Sequence, residues 1–146
     1  MSRAWPDLAG RLVDGRHLLP LRVYFEDTDF SGVVYHASYL RFMERGRSDF
    51  MRLAGADHAD LHRRLGVAFA VRRMTLSFDR PAVIDDVLEV ETSVKEMRGA
   101  SMILAQRVMR GQDLLVSADV QVVLVSASGR ALRIPAELRQ TLGGEA

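Results

Sequence analysis

Glu26, Asp27 and Asp29 sit just before Gly32 and His36 in the run Val23-Tyr-Phe-Glu-Asp-Thr-Asp-Phe-Ser-Gly-Val-Val-Tyr-His-Ala-Ser-Tyr-Leu40. A hydrophobic strand there ends in an acidic, glycine-containing turn that runs into a helix. Carboxylates are thereby set beside helix N–H groups that have no intrahelical acceptor. Those amides carry the positive end of the helix dipole and suit a substrate oxygen that becomes negative during reaction. An acid next to such a cradle points to hydrolysis of an acyl compound. The carboxylate can act as general base toward water or attack the carbonyl carbon itself.

Asp29 is the central candidate, although an aspartate in a strand-to-helix turn also reads as a turn or capping residue. Strand alternation puts Glu26 on the polar face, opposite Phe25. Asp27 shares parity with Asp29 and is the rival, with a supporting or turn-forming role as the expectation; two acids on one face raise each other's pKa. Gly32 lets the backbone approach an acyl group closely. The His36 imidazole is open between a structural role and orienting water or Asp29, while Tyr35 and Tyr39 are expected to pack around the site. His58 and His62, four residues apart, have a spacing that can bind zinc, but no third ligand stands at suggestive spacing, so a solvated helix face is expected and no metal. No G-x-S-x-G elbow occurs, which disfavours a serine hydrolase.

The elements that position these residues follow from periodicity. Leu19, Leu21, Val23 and Phe25 alternate with Pro20, Arg22, Tyr24 and Glu26 as a first strand. From His36 to Leu53 the period becomes helical, with Tyr39, Phe42, Met43, Gly46, Phe50 and Leu53 on one face and Arg41, Glu44, Arg45, Arg47 and Arg52 on others. A short helix is expected over Asp57–Leu65, then strands over Ala68–Asp79, Val87–Met97, Ser101–Arg110 and Leu114–Ser126. Arg98-Gly99 and Gly111-Gln-Asp113 supply the hairpin punctuation. Direct strand-to-strand steps favour an antiparallel sheet. A terminal helical turn begins at Ile134-Pro135. The economical packing is an α+β domain, a curved five-stranded antiparallel sheet wrapped around one long helix. Both faces of Leu114–Ser126 are rather apolar, so the sheet's outer face or edge is expected to meet another subunit.

The 146 residues read as a single domain over 1–146. A hydrophobic content of 48% and a charged content of 27% are those of an ordinary globular protein, and the apolar runs are far too short to span a bilayer. Met1–Leu18 has no apolar signal core, so a cytoplasmic location is the default expectation. A net charge of +1 without blocks of like charge gives no reason to expect nucleic acid. Lys95 is the single lysine among 20 basic residues; arginine pairs well with phosphate, although compositional bias explains the excess as well. The absence of cysteine excludes disulfides, cysteine metal sites and a cysteine nucleophile.

Glu26-Asp-Thr-Asp29, Gly32-Val-Val-Tyr-His-Ala-Ser-Tyr39 and Met43-Glu-Arg45 closely resemble the hotdog-fold acyl-CoA thioesterases of the 4-hydroxybenzoyl-CoA thioesterase type, the Tol-Pal-associated branch in particular. The similarity continues through Phe69-Ala-Val-Arg-Arg-Met74, Pro81, Asp85-Asp86 and Met97-Arg-Gly-Ala-Ser101 and fades toward the C-terminus. It implies a hotdog fold, with Asp29 matching the catalytic carboxylate and the His36 amide polarising the thioester carbonyl. Gly32, Val33, Val34 and Tyr35 would form the approach to the acyl group. Arg72, Arg73, Arg98, Gly99 and Ser101 become candidates for coenzyme A contacts, with ordinary surface charge as the competing explanation. Glu44 resembles an acid used by another hotdog branch, but the intact Asp29 motif makes it structural.

The implied substrate is an acyl-CoA or acyl carrier protein thioester. Coenzyme A then belongs to the substrate, and no separate cofactor is expected. The implied assembly is a homodimer or homotetramer with sites completed across a subunit seam. A hydratase would need a differently placed His and acid pair. A non-catalytic acyl- or protein-binding module, such as a scaffold linking lipid metabolism to envelope maintenance, is the alternative from another class, and the presence of Asp29 argues against it.

Overall fold

The computed structural model describes residues 8–56 and 58–143. Its elements run β1 (Arg11–Val13), β2 (Arg16–Arg22), a 3-10 turn (Phe25–Asp27), α1 (His36–Leu53), α2 (His58–Leu65), β3 (Val67–Phe78), β4 (Val87–Met97), β5 (Ser101–Arg110), β6 (Asp113–Ser126) and α3 (Ala136–Gly143). The strands form one antiparallel sheet in the order β1-β2-β4-β5-β6-β3. None of the described helices is long and apolar enough to cross a membrane.

α1 lies on the sheet and contacts β4, β2 and β5. Its apolar stripe buries Tyr39, Phe42, Met43 and Phe50 against Val90, Leu104, Val108, Val120 and their neighbours. Gly46 marks the closest approach: a Cβ there would lie 2.8 Å from Val90 Cγ1 and 3.2 Å from Thr92 Oγ1. Beside it the buried Gln106 donates from Nε2 to Met43 O and to Thr92 Oγ1, each at 2.9 Å, and accepts from Arg47 Nη1 at 3.0 Å. One amide thus satisfies polar groups of both layers where water is excluded.

Three expectations are corrected. The sheet has six strands rather than five, because β1 and the start of β2 form a hairpin around Asp14-Gly15, both with positive φ. The first strand stops at Arg22 rather than running to Glu26, since the backbone turns into the 3-10 segment; Phe25, expected inside, is 82% exposed. Period-two parity therefore does not relate Asp27 to Asp29. Finally, β6 is no edge strand. It lies between β5 and β3, and the sheet's edges are β1 and β3.

A buried pair ties the first hairpin to α1. His17 Nε2 lies 2.7 Å from Asp49 Oδ2, the same oxygen that accepts the Gly10 N–H at 2.7 Å, while Arg52 Nη1 donates to Asp49 Oδ1 at 3.3 Å. Asp49 is buried, and its carboxylate is consumed in holding the fold.

Candidate active site

The approach to α1 is a small folded unit. Thr28 bridges Val34, the Asp29 N–H donates to Val33 O at 3.0 Å, and the Gly32 N–H donates to Asp29 O at 3.0 Å. Asp29 is therefore the first residue of a four-residue turn, a place that favours aspartate. Gly32 closes that turn with φ +88°, a conformation that disfavours any side chain, and a Cβ there would touch nothing within 4 Å. Its requirement is conformational freedom rather than room within the fold. The unit is joined to its surroundings by Val34 N–H donating to Ala82 O and Tyr35 N–H donating to Asp27 O.

The two aspartates have different surroundings. Asp27 is buried, its Oδ2 accepts the Tyr24 N–H at 2.8 Å, and Arg41 Nη2 lies 3.8 Å from its Oδ1. Its backbone oxygen also receives the Ser38 hydroxyl at 3.0 Å. Asp29 is exposed, and its Oδ1 accepts the Ser31 N–H at 2.8 Å and the Ser31 hydroxyl at 2.5 Å. Those bonds, the hydroxyl first, hold its carboxyl below the ordinary value of 3.8; desolvation opposes the shift and nearby His36 adds to it. The group is accordingly ionised at neutral pH. Ser31 is a partner of Asp29 that the motif did not single out, though the Asp-x-Ser spacing of an Asx turn is there in the sequence.

α1 begins at His36, and no side chain caps it: Tyr35 is the N-cap and makes no capping bond through its side chain. The Ser38 N–H turns back to Tyr35 O. The first amides of α1, at His36 and Ala37, have no acceptor within the helix. The His36 ring is exposed, 4.6 Å from the Tyr35 ring and 6.3 Å from that of Phe78. It joins Val34, Tyr39, Phe78, Asp79, Arg80 and Pro81 in lining a cleft of about 240 Å³. Tyr39 is buried and its oxygen accepts the Ala82 N–H at 3.0 Å, which fixes the far wall; burial pushes its phenol pKa up. Asp86 steadies the same wall by accepting from Val83 N–H and Arg110 Nη1, each at 2.9 Å.

The structure brings Asp29, Gly32, Val33, Val34, Tyr35 and His36 together at the entry to α1. It does not bring the candidate coenzyme contacts to the same place. Arg72 and Arg73 are exposed on the edge strand β3. Arg98, Gly99 and Ser101 lie around the β4–β5 hairpin, at the end of β4 away from the strand's Val87 start, which pairs with Arg22 near the acidic turn. At about 3.3 Å per residue that is about 33 Å along the strand. Arg98 is bound to Glu96 through two hydrogen bonds, and Ser101 is buried. Glu44 accepts the Ser48 hydroxyl and lines a separate cavity of about 150 Å³ with Arg47, Met51, Phe69 and Val71. Among the described residues no three metal-ligating side chains gather. His62 is on α2, and the side chain of His58 lies outside the described residues.

Comparisons with known proteins identify the fold and the family. A family model described as thioesterase-like superfamily matches residues 23–142. An acyl-CoA thioester hydrolase, YbgC, from Escherichia coli is 45% identical over 107 residues, which are 73% of this chain and 79% of the relative. The crystal structure of a probable thioesterase from Bartonella henselae has a TM-score of 0.80 at 41% identity, covering 82% of this chain and 99% of the other. At 24% identity, a 4-hydroxybenzoyl CoA thioesterase mutant in complex with 4-hydroxybenzoyl CoA shares the fold with a TM-score of 0.83, covering 88% of this chain and 99% of the other. The long helix laid on an antiparallel sheet is thus the hotdog fold, and the chain belongs to the thioesterase-like superfamily.

Proposed function

We propose that this chain hydrolyses acyl-CoA thioesters to a free carboxylic acid and coenzyme A, with Asp29 as the reacting carboxylate. The observation that carries this reading is the pairing of an ionised, exposed Asp29 with the uncapped start of α1 seven residues later. The first α1 amides, at His36 foremost, are the donors for the thioester oxygen, and their bonds strengthen as that oxygen gains charge. Two routes use the same carboxylate. As a base, Asp29 takes a proton from water while the water oxygen bonds the carbonyl carbon; the carbon–sulfur bond then breaks and its electron pair leaves on sulfur. As a nucleophile, Asp29 bonds that carbon and displaces the thiolate, and water cleaves the resulting mixed anhydride to regenerate the carboxylate. In the base route the sulfur takes the proton that Asp29 holds, which restores the carboxylate; in the nucleophilic route it takes one from solvent. Because base or nucleophile and carbonyl polarisation come from the chain itself, the reading needs no metal and no cofactor beyond the coenzyme A of the substrate.

The same reading includes a homodimer, or a dimer of dimers, with sites shared between copies. β3 is an open edge, and both cavities border it: Phe69 and Val71 line one and Phe78 lines the other. Antiparallel pairing of two β3 edges about a two-fold axis would lay the Phe78 end of one copy beside the Phe69 end of the next. It would also bring exposed Arg72 and Arg73 of the edge to the seam, where coenzyme A phosphates would meet them. Acyl carrier protein thioesters are alternative donors of the acyl group, and a cytoplasmic location goes with substrates of this kind. The test is a hydrolysis panel of acyl-CoA thioesters of graded length, with an aromatic member, read as free thiol release with and without a chelator. Turnover of at least one member, unchanged by chelation, is the expected result. No turnover across the panel would refute the reading, and loss on chelation restored by zinc would refute its metal-free chemistry.

A further inference from the structure

Asp29 Oδ1 receives two donors from one residue, the N–H and the hydroxyl of Ser31, while no bond to Oδ2 is made among the described residues. The turn does not depend on the hydroxyl. It is already closed by the Gly32 N–H on Asp29 O and by the Asp29 N–H on Val33 O, and Ser31 needs no unusual backbone angle. The hydroxyl bond therefore acts on the carboxylate itself. Two donors on one oxygen fix the rotation of the carboxyl group about its bond to Cβ and keep the group charged. The second oxygen makes no bond among the described residues and belongs to an exposed side chain.

We propose that Ser31 is the positioning residue of this site: it holds Asp29 through Oδ1 so that Oδ2 alone meets the thioester or its attacking water. This rests on the reading of Asp29 as the reacting carboxylate. In the nucleophilic route Oδ2 forms the bond to the acyl carbon, and Oδ1 becomes a carbonyl oxygen that keeps both Ser31 donors. In the base route the anchored group turns Oδ2 toward water. The other charged and titratable groups around Asp29 are few. His36 faces it from α1, and Asp79 and Arg80 stand in the same cleft as His36. Glu26 is on the preceding turn, and Asp27 there is directed to Tyr24 and Arg41 instead. The two Ser31 bonds are the leading cause that holds the Asp29 carboxyl below its ordinary value.

The experiment compares wild type with Ser31→Ala, Ser31→Thr and Asp29→Asn in two measurements. One is the pH profile of kcat and kcat/KM on an acyl-CoA substrate, and the other is the ¹³C NMR titration of the Asp29 carboxyl. Donors to the ionised form lower its pKa, so their loss raises it. Ser31→Ala is expected to move both the acid limb of kcat/KM and the Asp29 titration to higher pH and to lower kcat several-fold with KM little changed. Ser31→Thr, which keeps the hydroxyl, is expected to restore all three. A Ser31→Ala enzyme with wild-type kcat, acid limb and titration overturns the proposal; if Asp29→Asn is inactive beside it, Asp29 stands and only Ser31 falls. If Asp29→Asn keeps full turnover, the reading of Asp29 falls and the Ser31 role in the reaction falls with it, even where the titration moves.

Discussion

At the scale of single residues, two aspartates two positions apart have different surroundings, and burial separates them. Asp27 spends its carboxylate on the Tyr24 N–H and lies near Arg41, while its backbone oxygen gathers Tyr35 and Ser38 of the helix start. Asp29 keeps one oxygen open to solvent. Their types and spacing were legible in the sequence, but which acid would be buried was not, since that depended on a 3-10 turn that breaks the alternation of a strand. The charge of Asp29 gives a pH prediction. Only the ionised form can act as base or nucleophile, and its pKa is lowered, so the acid limb of kcat/KM should lie below the ordinary carboxylate value of 3.8. A pH–rate series on folded enzyme checks this; an acid limb near neutrality would show that another group governs the reaction.

At the scale of elements, α1 positions the site because it is held tightly to β4. Gly46 permits that contact, and a methyl group there would stand 2.8 Å from Val90 Cγ1. Gly46→Ala should therefore destabilise the protein by about 1–3 kcal/mol, the usual effect of overpacking a filled interior. Chemical denaturation measures it, and an unchanged midpoint would mean that helix and sheet can separate slightly without loss. The helix itself was plain in the sequence, as were β4 and β5, because long amphipathic periods report one buried face. The β1–β2 hairpin was missed although Asp14-Gly15 is a strong turn signal. β1 has only three residues and is exposed along its length, so no apolar alternation draws attention to it.

At the scale of the whole molecule, the open β3 edge, bordered by both cavities, is where a second copy would pack. Which strand forms the edge was not legible, because an apolar run such as Leu114–Ser126 looks the same in the middle of a sheet as at its rim. Ultracentrifugation or solution scattering at micromolar concentration should give a homodimer or larger assembly; a stable monomer with full activity would contradict the shared site. The candidate coenzyme A contacts belong to this scale too, since Arg72 and Arg73 lie on that edge and Arg98 on a distant hairpin. Exposed charge-assisted contacts weaken binding more than chemistry when removed. Alanine at these three positions should raise the apparent KM more than it lowers kcat, and steady-state kinetics that leave KM unchanged at all three would dismiss the assignment. The reaction assigned to the assembly rests on one carboxylate, so the most direct measurement is thioester hydrolysis by Asp29→Asn with its fold and assembly verified. A loss of at least about 100-fold in kcat is predicted, the scale expected when a positioned base or nucleophile is removed, and near wild-type turnover would contradict the account.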